Sequence, residues 1–278
     1  MKKWNLIIDV ENCNNCHMCS LATKDEYVGN SFPGYSAEMP KRGANWIDMK
    51  KKERGQTPMI DIGYIPTMCQ HCDDAPCLKA SKNNAVVKRD DGIIVIDPDK
   101  SKGQKQIVDS CPHGSISWNE ELEIPQIWFF DAHLLDNGWK APRGVSVCAT
   151  NAMRAVKVED DKMKDMVKEE NLETLNPEFN TKPRVYYKNL YRFNKCFIGG
   201  SIALTKNKID DCVSGAEVKL YKDDKIIAEV ITDDFGDFKI DKLDPNSGKY
   251  KIDIKFKTNK KSLEVDLKES VFLGNIYL

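Results

Sequence analysis

Eight of the ten cysteines lie at Cys13, Cys16, Cys19, Cys69, Cys72, Cys77, Cys111 and Cys148, and the other two, Cys196 and Cys212, come much later. Thiols spaced as in "CNNCHMC" (13–19) begin an iron–sulfur ligand run, in which C-x2-C-x2-C-x3-C gives three ligands to one cluster and its last cysteine to another. The run stops short, because Thr23 stands at the fourth place. A second run, "CQHCDDAPC" (69–77), has a wider middle gap and reaches Ser81 at its fourth place. Two further copies show the reverse loss. Counted back from "CPHG", Ser101, Gln104 and Ile107 hold the triplet places ahead of Cys111, and Trp128, Asp131 and Gly144 hold them, less regularly, ahead of Cys148.

A triplet in such a run takes its fourth ligand from a distant segment. Pairing the first copy with the fourth, and the second with the third, leaves two complete sets: Cys13, Cys16, Cys19 with Cys148, and Cys69, Cys72, Cys77 with Cys111. The other two sets are missing whole: Thr23 with Trp128, Asp131 and Gly144, and Ser81 with Ser101, Gln104 and Ile107. Such all-or-none loss follows from the chemistry, since a site deprived of one ligand leaves three reactive thiols behind. Trp128 and Gly144 cannot bind iron through their side chains, and Asp131 alone cannot restore a set. Four thiolates also suit a structural zinc ion, but the triplet spacing and the proline after Cys111 are more typical of iron–sulfur loops. His17, His71 and His113 sit beside the cysteines and read as neighbours, the thiolate count being already full. Cys196 and Cys212 lie near strand-like segments and read as small core residues.

The elements that must hold these residues are short. "WNLIIDV" reads as an edge strand feeding the first cysteine loop, "VVKRDDGIIVID" as two strands around an Asp-Asp-Gly turn, and "SISW" as another strand. Residues 24–66 form a polar and aromatic excursion in which Trp46 and Tyr64 could be partner contacts or local packing. Residues 1–157 thus make a ferredoxin-like domain with few helices. Over 158–194, "EDDKMKDMVKEENLETL" is rich in helix formers and "RVYYKNLYRF" is extended, an arm laid either on another surface or back on its own chain. From 195 to 278, "KYKIDIKF" and "SLEVDL" alternate with period two, and six or seven strands argue a small immunoglobulin-like β-sandwich. The fold class expected is therefore α+β, followed by an all-β domain.

Bulk properties narrow the partners. A chain of 278 residues can bury more than one core, and its formal charge of -1 gives no reason to expect nucleic acid or an anionic membrane. No early stretch reads as an export signal and no apolar run reaches the roughly 18 residues that span a bilayer, so a cytoplasmic location is expected. Without export, cysteines at this spacing point to metal rather than disulfides.

"CQHCDDAPC", then "DDGIIVIDPDK" leading into "SCPHG", resembles the ferredoxin-like subunits of the dimethyl sulfoxide reductase superfamily. Within it, "ENCNNC", "FPGY", "ERG", "AHLLD" and "TKPRVYYKNLYRF" are similar to the small subunits of pyrogallol–phloroglucinol transhydroxylases, over essentially the whole chain. The terminal β-domain, with "DDFGDF" at one corner, resembles transthyretin-like sandwiches. The resemblance implies an electron-transfer subunit docked in a heterodimer on a large catalytic subunit that carries molybdopterin with Mo or W. It also implies three [4Fe–4S] clusters, the third bound at the places of Thr23, Trp128, Asp131 and Gly144; this chain departs from that pattern and is expected to hold two.

Nothing in the sequence reads as a substrate site: no nucleophile with a base, no cofactor-binding glycine loop, no open metal site. The function expected is a one-electron relay serving chemistry on polyhydroxylated aromatics in the partner. The alternatives are an iron–sulfur subunit of another molybdopterin reductase, or an assembly subunit whose clusters act mainly as cross-links.

Overall fold

A computed structural model describes residues 1–206 and 208–278 and separates into two compact units, Met1–Lys51 with Tyr64–Leu190, and Lys52–Gly63 with Tyr191–Leu278. Up to the second unit the order is β1 (Lys3–Asp9), α1 (Met18–Tyr27), β2 (Asp48–Gln56), β3 (Met59–Thr67), α2 (Pro76–Ala80), β4 (Val86–Lys88), β5 (Ile94–Ile96), α3 (Gln106–Asp109), β6 (Ser117–Asn119), β7 (Ile124–Gln126), α4 (Ala132–Asp136), α5 (Arg143–Ser146), β8 (Met153–Val158), α6 (Asp160–Glu169) and β9 (Val185–Lys188). The hairpin of β2 and β3 begins in the first unit, and its tip counts with the second.

In the first unit β1 lies at the centre of a three-stranded sheet, not at an edge. Leu6 and Ile8 have no exposed surface and Ile7 almost none, so both faces of the strand are covered and a polar edge on either side would be costly. The expectation of an edge came from the apolar run alone, which does not reveal a partner nearly two hundred residues away. β8 pairs antiparallel with β1, Lys3 opposite Val158 through Ile8 opposite Met153. β9 pairs parallel on the other side, Leu6 opposite Val185. A strand that returns beyond its neighbour needs a long crossover, and α6 supplies it. Met163 and Leu172 close over Ile7, with Met166 and Val167 beside them, which is the i, i+3, i+4 stripe of an amphipathic helix. Asp160 and Asp161 sit in the helix's first turn, where the dipole favours acids.

The extended stretch "RVYYK" therefore folds back on its own chain as β9 rather than reaching out as an arm. Arg184, ahead of it, is buried and donates to Asp73 (2.8 and 2.6 Å), Asp160 (3.0 Å) and Asn5 (3.2 Å), which fixes the loop after Cys72 to the central sheet. β4 and β5 pair across the Asp-Asp-Gly turn, and "SISW" contributes β6, paired with β7. Trp46 is buried, its ring 4.9 Å from that of Tyr27, so it packs locally; Tyr64 is half-buried.

The second unit continues with α7 (Tyr191–Asn194), β10 (Cys196–Lys206), β11 (Ile209–Cys212), β12 (Glu217–Lys222), β13 (Lys225–Ile231), β14 (Asp237–Leu243), β15 (Gly248–Phe256), β16 (Asn259–Leu267) and β17 (Val271–Tyr277). Two sheets form: β10 is flanked by β11 and β14 on one side and β17 on the other, and the second sheet runs β13-β12-β15-β16. Alternation sets their inner faces, with Tyr250, Ile252 and Ile254 buried among residues of both sheets. At the "DDFGDF" corner, Asp233 Oδ1 accepts the N–H groups of Phe235 and Asp237, each at 2.9 Å. Cys196 is a core residue as expected, but Cys212 is exposed, because β11 pairs along one side only. The hairpin tip is held by Arg54, which donates to Asp61 and, at 2.8 Å, to Asp241. Its Gly55, at φ +80°, leaves no room for a side chain against Phe197 and the Met59 carbonyl.

Candidate metal centres

The loop from β1 to α1 carries Cys13 and Cys16, and Cys19 lies in the first turn of α1. Asn15 and His17 have positive φ (62° and 59°), as does His71 between Cys69 and Cys72 (46°). Asn and His tolerate this left-handed conformation better than most residues, and it curls the chain so that successive N–H groups turn inward, a geometry suited to anions. Cys148 reaches the same place from the loop after α5, which packs on α1.

Electrostatic coupling links Cys13 with Cys148 and Cys16, and Cys69 with Cys77, Cys72 and Cys111. Burial pushes the Cys13 thiol up, the N–H of Asn15 on its sulfur opposes this, and the nearby Cys148 and Cys16 raise it further. Cys19 is pushed up to about 11 by burial, against the N–H of Ser20, with Cys13 and Cys16 adding. In the second set, burial lifts Cys69 well above the ordinary thiol range, followed by Cys77, against the N–H of His71, with Cys72 and Cys111 adding. Cys77 is pushed up to about 12 by burial and then by Cys111 and Cys72, against the N–H of Leu78. The two sets therefore share one design: the first cysteine receives an N–H from the second residue onward, and the third from the residue that follows it.

All four thiols of the second set line one small cavity walled by Ile94, Ile96, Ile116 and Ile127. Burial of Cys69, Cys72 and Cys77 favours the protonated thiol; a bound metal's charge would invert that preference and hold thiolates. Among the described residues no group of three or more His, Cys, Asp or Glu is placed to hold a single metal ion. Four thiols from two segments, N–H groups on sulfur and apolar walls fit a [4Fe–4S] cluster in the second set; the first set has the same thiol complement with Cys16 exposed.

The positions without cysteine are filled. Thr23 Oγ1 donates to the Cys19 carbonyl at 2.9 Å, and a side chain at Gly144 would begin 3.4 Å from Cys19 Cβ. Trp128 Nε1 donates to Asp131 Oδ1 at 2.8 Å, Tyr27 donates its hydroxyl to the same oxygen, and the Arg143 N–H donates to Oδ2 at 2.7 Å. Phe130 and Asp131 both have positive φ (59° and 50°); such strain costs on the order of 1–3 kcal/mol per residue and persists where the surroundings dictate the conformation. In the other vacant set Ser101 and Ile107 are buried, Ser81 donates to the Leu78 carbonyl, and Gln104 clamps residue 82 by accepting its N–H at 2.8 Å.

His17 is exposed. His71 is buried, and its Nδ1 accepts the Ile94 N–H at 3.0 Å; burial, then the charges of Lys88 and Arg184, depress its pKa to about 3. His113 Nε2 pairs with Thr181 Oγ1 at 2.9 Å. Two supporting residues escaped the sequence reading. Lys88 Nζ donates to the carbonyls of His71 and Cys72 (2.9 and 2.8 Å), and the Thr181 hydroxyl bonds the Cys72 thiol. Neither has a spacing relation to the cysteines, so no motif marks them.

Residues 60–158 match the family described as the 4Fe-4S dicluster domain. The chain is 42% identical to the pyrogallol hydroxytransferase small subunit of Pelobacter acidigallici over 100% of both chains. It is 33% identical to an arsenate respiratory reductase iron–sulfur subunit of Shewanella sp. (strain ANA-3), covering 49% of this chain and 53% of that one. It is 30% identical to the perchlorate reductase subunit beta of Dechloromonas aromatica (strain RCB), covering 58% and 50%. These last two likenesses span about half of each relative, whereas the first runs end to end. With a dicluster domain over residues 60–158 and a match along its whole length, the chain belongs to the family of pyrogallol hydroxytransferase small subunits.

Proposed function

We propose that this chain is an electron-transfer subunit that holds two [4Fe–4S] clusters, one on Cys13, Cys16, Cys19 and Cys148 and the other on Cys69, Cys72, Cys77 and Cys111. The observation that carries the reading is the grouping of those eight thiols, each set closed by one distant cysteine. A cluster bound there would supply one-electron redox chemistry. The chain's own residues set the conditions: N–H groups on sulfur, apolar walls and fixed nearby charges all bear on the potential.

The partner is a large subunit carrying molybdopterin with Mo or W, and the complex transfers hydroxyl groups on polyhydroxylated aromatics. The end-to-end likeness to a pyrogallol hydroxytransferase small subunit supports this reading. The terminal sandwich, of transthyretin-like type, serves docking or support, since among its described residues no set of reactive side chains gathers. No described helix is long and apolar enough to cross a membrane.

The test is anaerobic purification through a tag on this chain, followed by metal analysis and by reductive titration with electron paramagnetic resonance. Co-purification of a molybdopterin-containing subunit, with both clusters reduced by the titrant, is expected. Clusters that never change redox state would favour the cross-linking role, and activity confined to oxyanions would favour another molybdopterin reductase.

A further inference from the structure

Asp131 is fully buried, and among the described residues its carboxylate accepts hydrogen bonds from the Tyr27 hydroxyl, the Trp128 indole N–H and the Arg143 backbone N–H. The one guanidinium nearby is committed elsewhere, the Arg143 side chain pairing with Glu26 and Asp25. Burial pushes the Asp131 carboxyl up, while the Tyr27, Trp128 and Arg143 donors and then the His133 charge pull it down; two of the three donors are N–H groups that cannot accept a proton in return, which favours the ionised form. Its charge is spread over dipoles and is not cancelled by a contacting cation.

The same carboxylate joins the two segments that close the first thiol set. Tyr27 is the last residue of α1, whose first turn holds Cys19, and Arg143 opens α5, which leads to Cys148. Gly144, next to Arg143, packs directly on Cys19. A fixed negative charge beside a cluster opposes the arrival of an electron, and low surrounding polarity strengthens the effect.

We infer that Asp131 is a positioning and potential-setting residue for the Cys13, Cys16, Cys19 and Cys148 centre, lowering its reduction potential more than that of the Cys69, Cys72, Cys77 and Cys111 centre. The inference rests on the cluster assignment above. It gives the region around Thr23, Trp128, Asp131 and Gly144 a function of its own: a hydrogen-bonded plug that carries a charge.

The experiment is a redox titration of the full-length protein, purified anaerobically with its partner and followed by electron paramagnetic resonance. Asp131→Asn keeps the shape and removes the charge. One of two transitions is expected to move to higher potential by a factor of ten or more in the reduced-to-oxidised ratio, about 59 mV for one electron, with iron content unchanged. Cys148→Ala identifies the transition, because the one that moves further is the one this variant abolishes. Two stationary transitions, or a larger movement of the one that survives in Cys148→Ala, would overturn the inference. If Asp131→Asn fails to assemble, Tyr27→Phe removes one donor and keeps the charge, and the same transition is expected to move down; no movement overturns the inference. Wild-type protein without reducible clusters defeats the cluster assignment itself, a result distinct from stationary potentials in a protein that has them.

Discussion

A buried hydrogen-bonding side chain costs most when its partner is taken away. Gln104 stands at a triplet place without a cysteine and bonds the backbone of residue 82 from both ends, accepting its N–H and donating to its carbonyl at 3.3 Å. Gln104→Ala should destabilise the protein by about 1–3 kcal/mol in urea denaturation while leaving iron content unchanged, since no thiol is touched. A loss of iron would mean that this position still serves the cluster. At this scale the sequence was informative where chemistry imposes spacing. The eight cysteines and the all-or-none gaps could be read from the run itself. What fills the gaps could not, because Tyr27 and Asp131, or residue 82 and Gln104, meet only through the fold, and a hydrogen bond leaves no periodicity.

Among the elements, β1 bears the first unit. Ile8 has no exposed surface and lies between β8 and β9, so Ile8→Ala should cost about 2–5 kcal/mol, measured by thermal or urea unfolding. A cost within the range of surface substitutions, about 0.5 kcal/mol, would show that the central placement is wrong. The second unit offers a test by pH. Burial tends to raise the Asp241 pKa, but the Arg54 guanidinium more than offsets this and holds it below the usual carboxylate value; Asp61 is depressed likewise, by Arg192 and Arg54. A carboxylate depressed in the folded state stabilises fully above its unfolded pKa of about 3.9 and loses that contribution as pH falls toward its folded value. Asp241→Asn should therefore loosen residues 196–278 at pH 7 by about 1–3 kcal/mol, seen by hydrogen exchange against wild type at the same pH. The difference should narrow as pH falls below 4. A difference that does not depend on pH would mean that the ion pair is not its source. Period two revealed the strands of this unit, and helix formers revealed α6. The central place of β1, the return of β9 and the hairpin tip's membership of the second unit depend on contacts between remote segments, which local patterns do not encode.

At the scale of the whole molecule, two distant cysteines decide whether the chain is a relay or only a scaffold. With two complete sets the purified protein should contain about eight irons and eight acid-labile sulfides, four of each to a [4Fe–4S] cluster; zinc without sulfide would point to two structural ions instead. Twelve irons would contradict the assignment of two complete sets.

Iron and sulfide should next be counted in Cys148→Ala, where the count should fall by half with the Cys69 set intact, as the matching loss in Cys111→Ala should spare the Cys13 set. Full iron in the purified Cys148→Ala protein would contradict the pairing of the first triplet with Cys148, and with it the proposal that this chain carries electrons through two such centres.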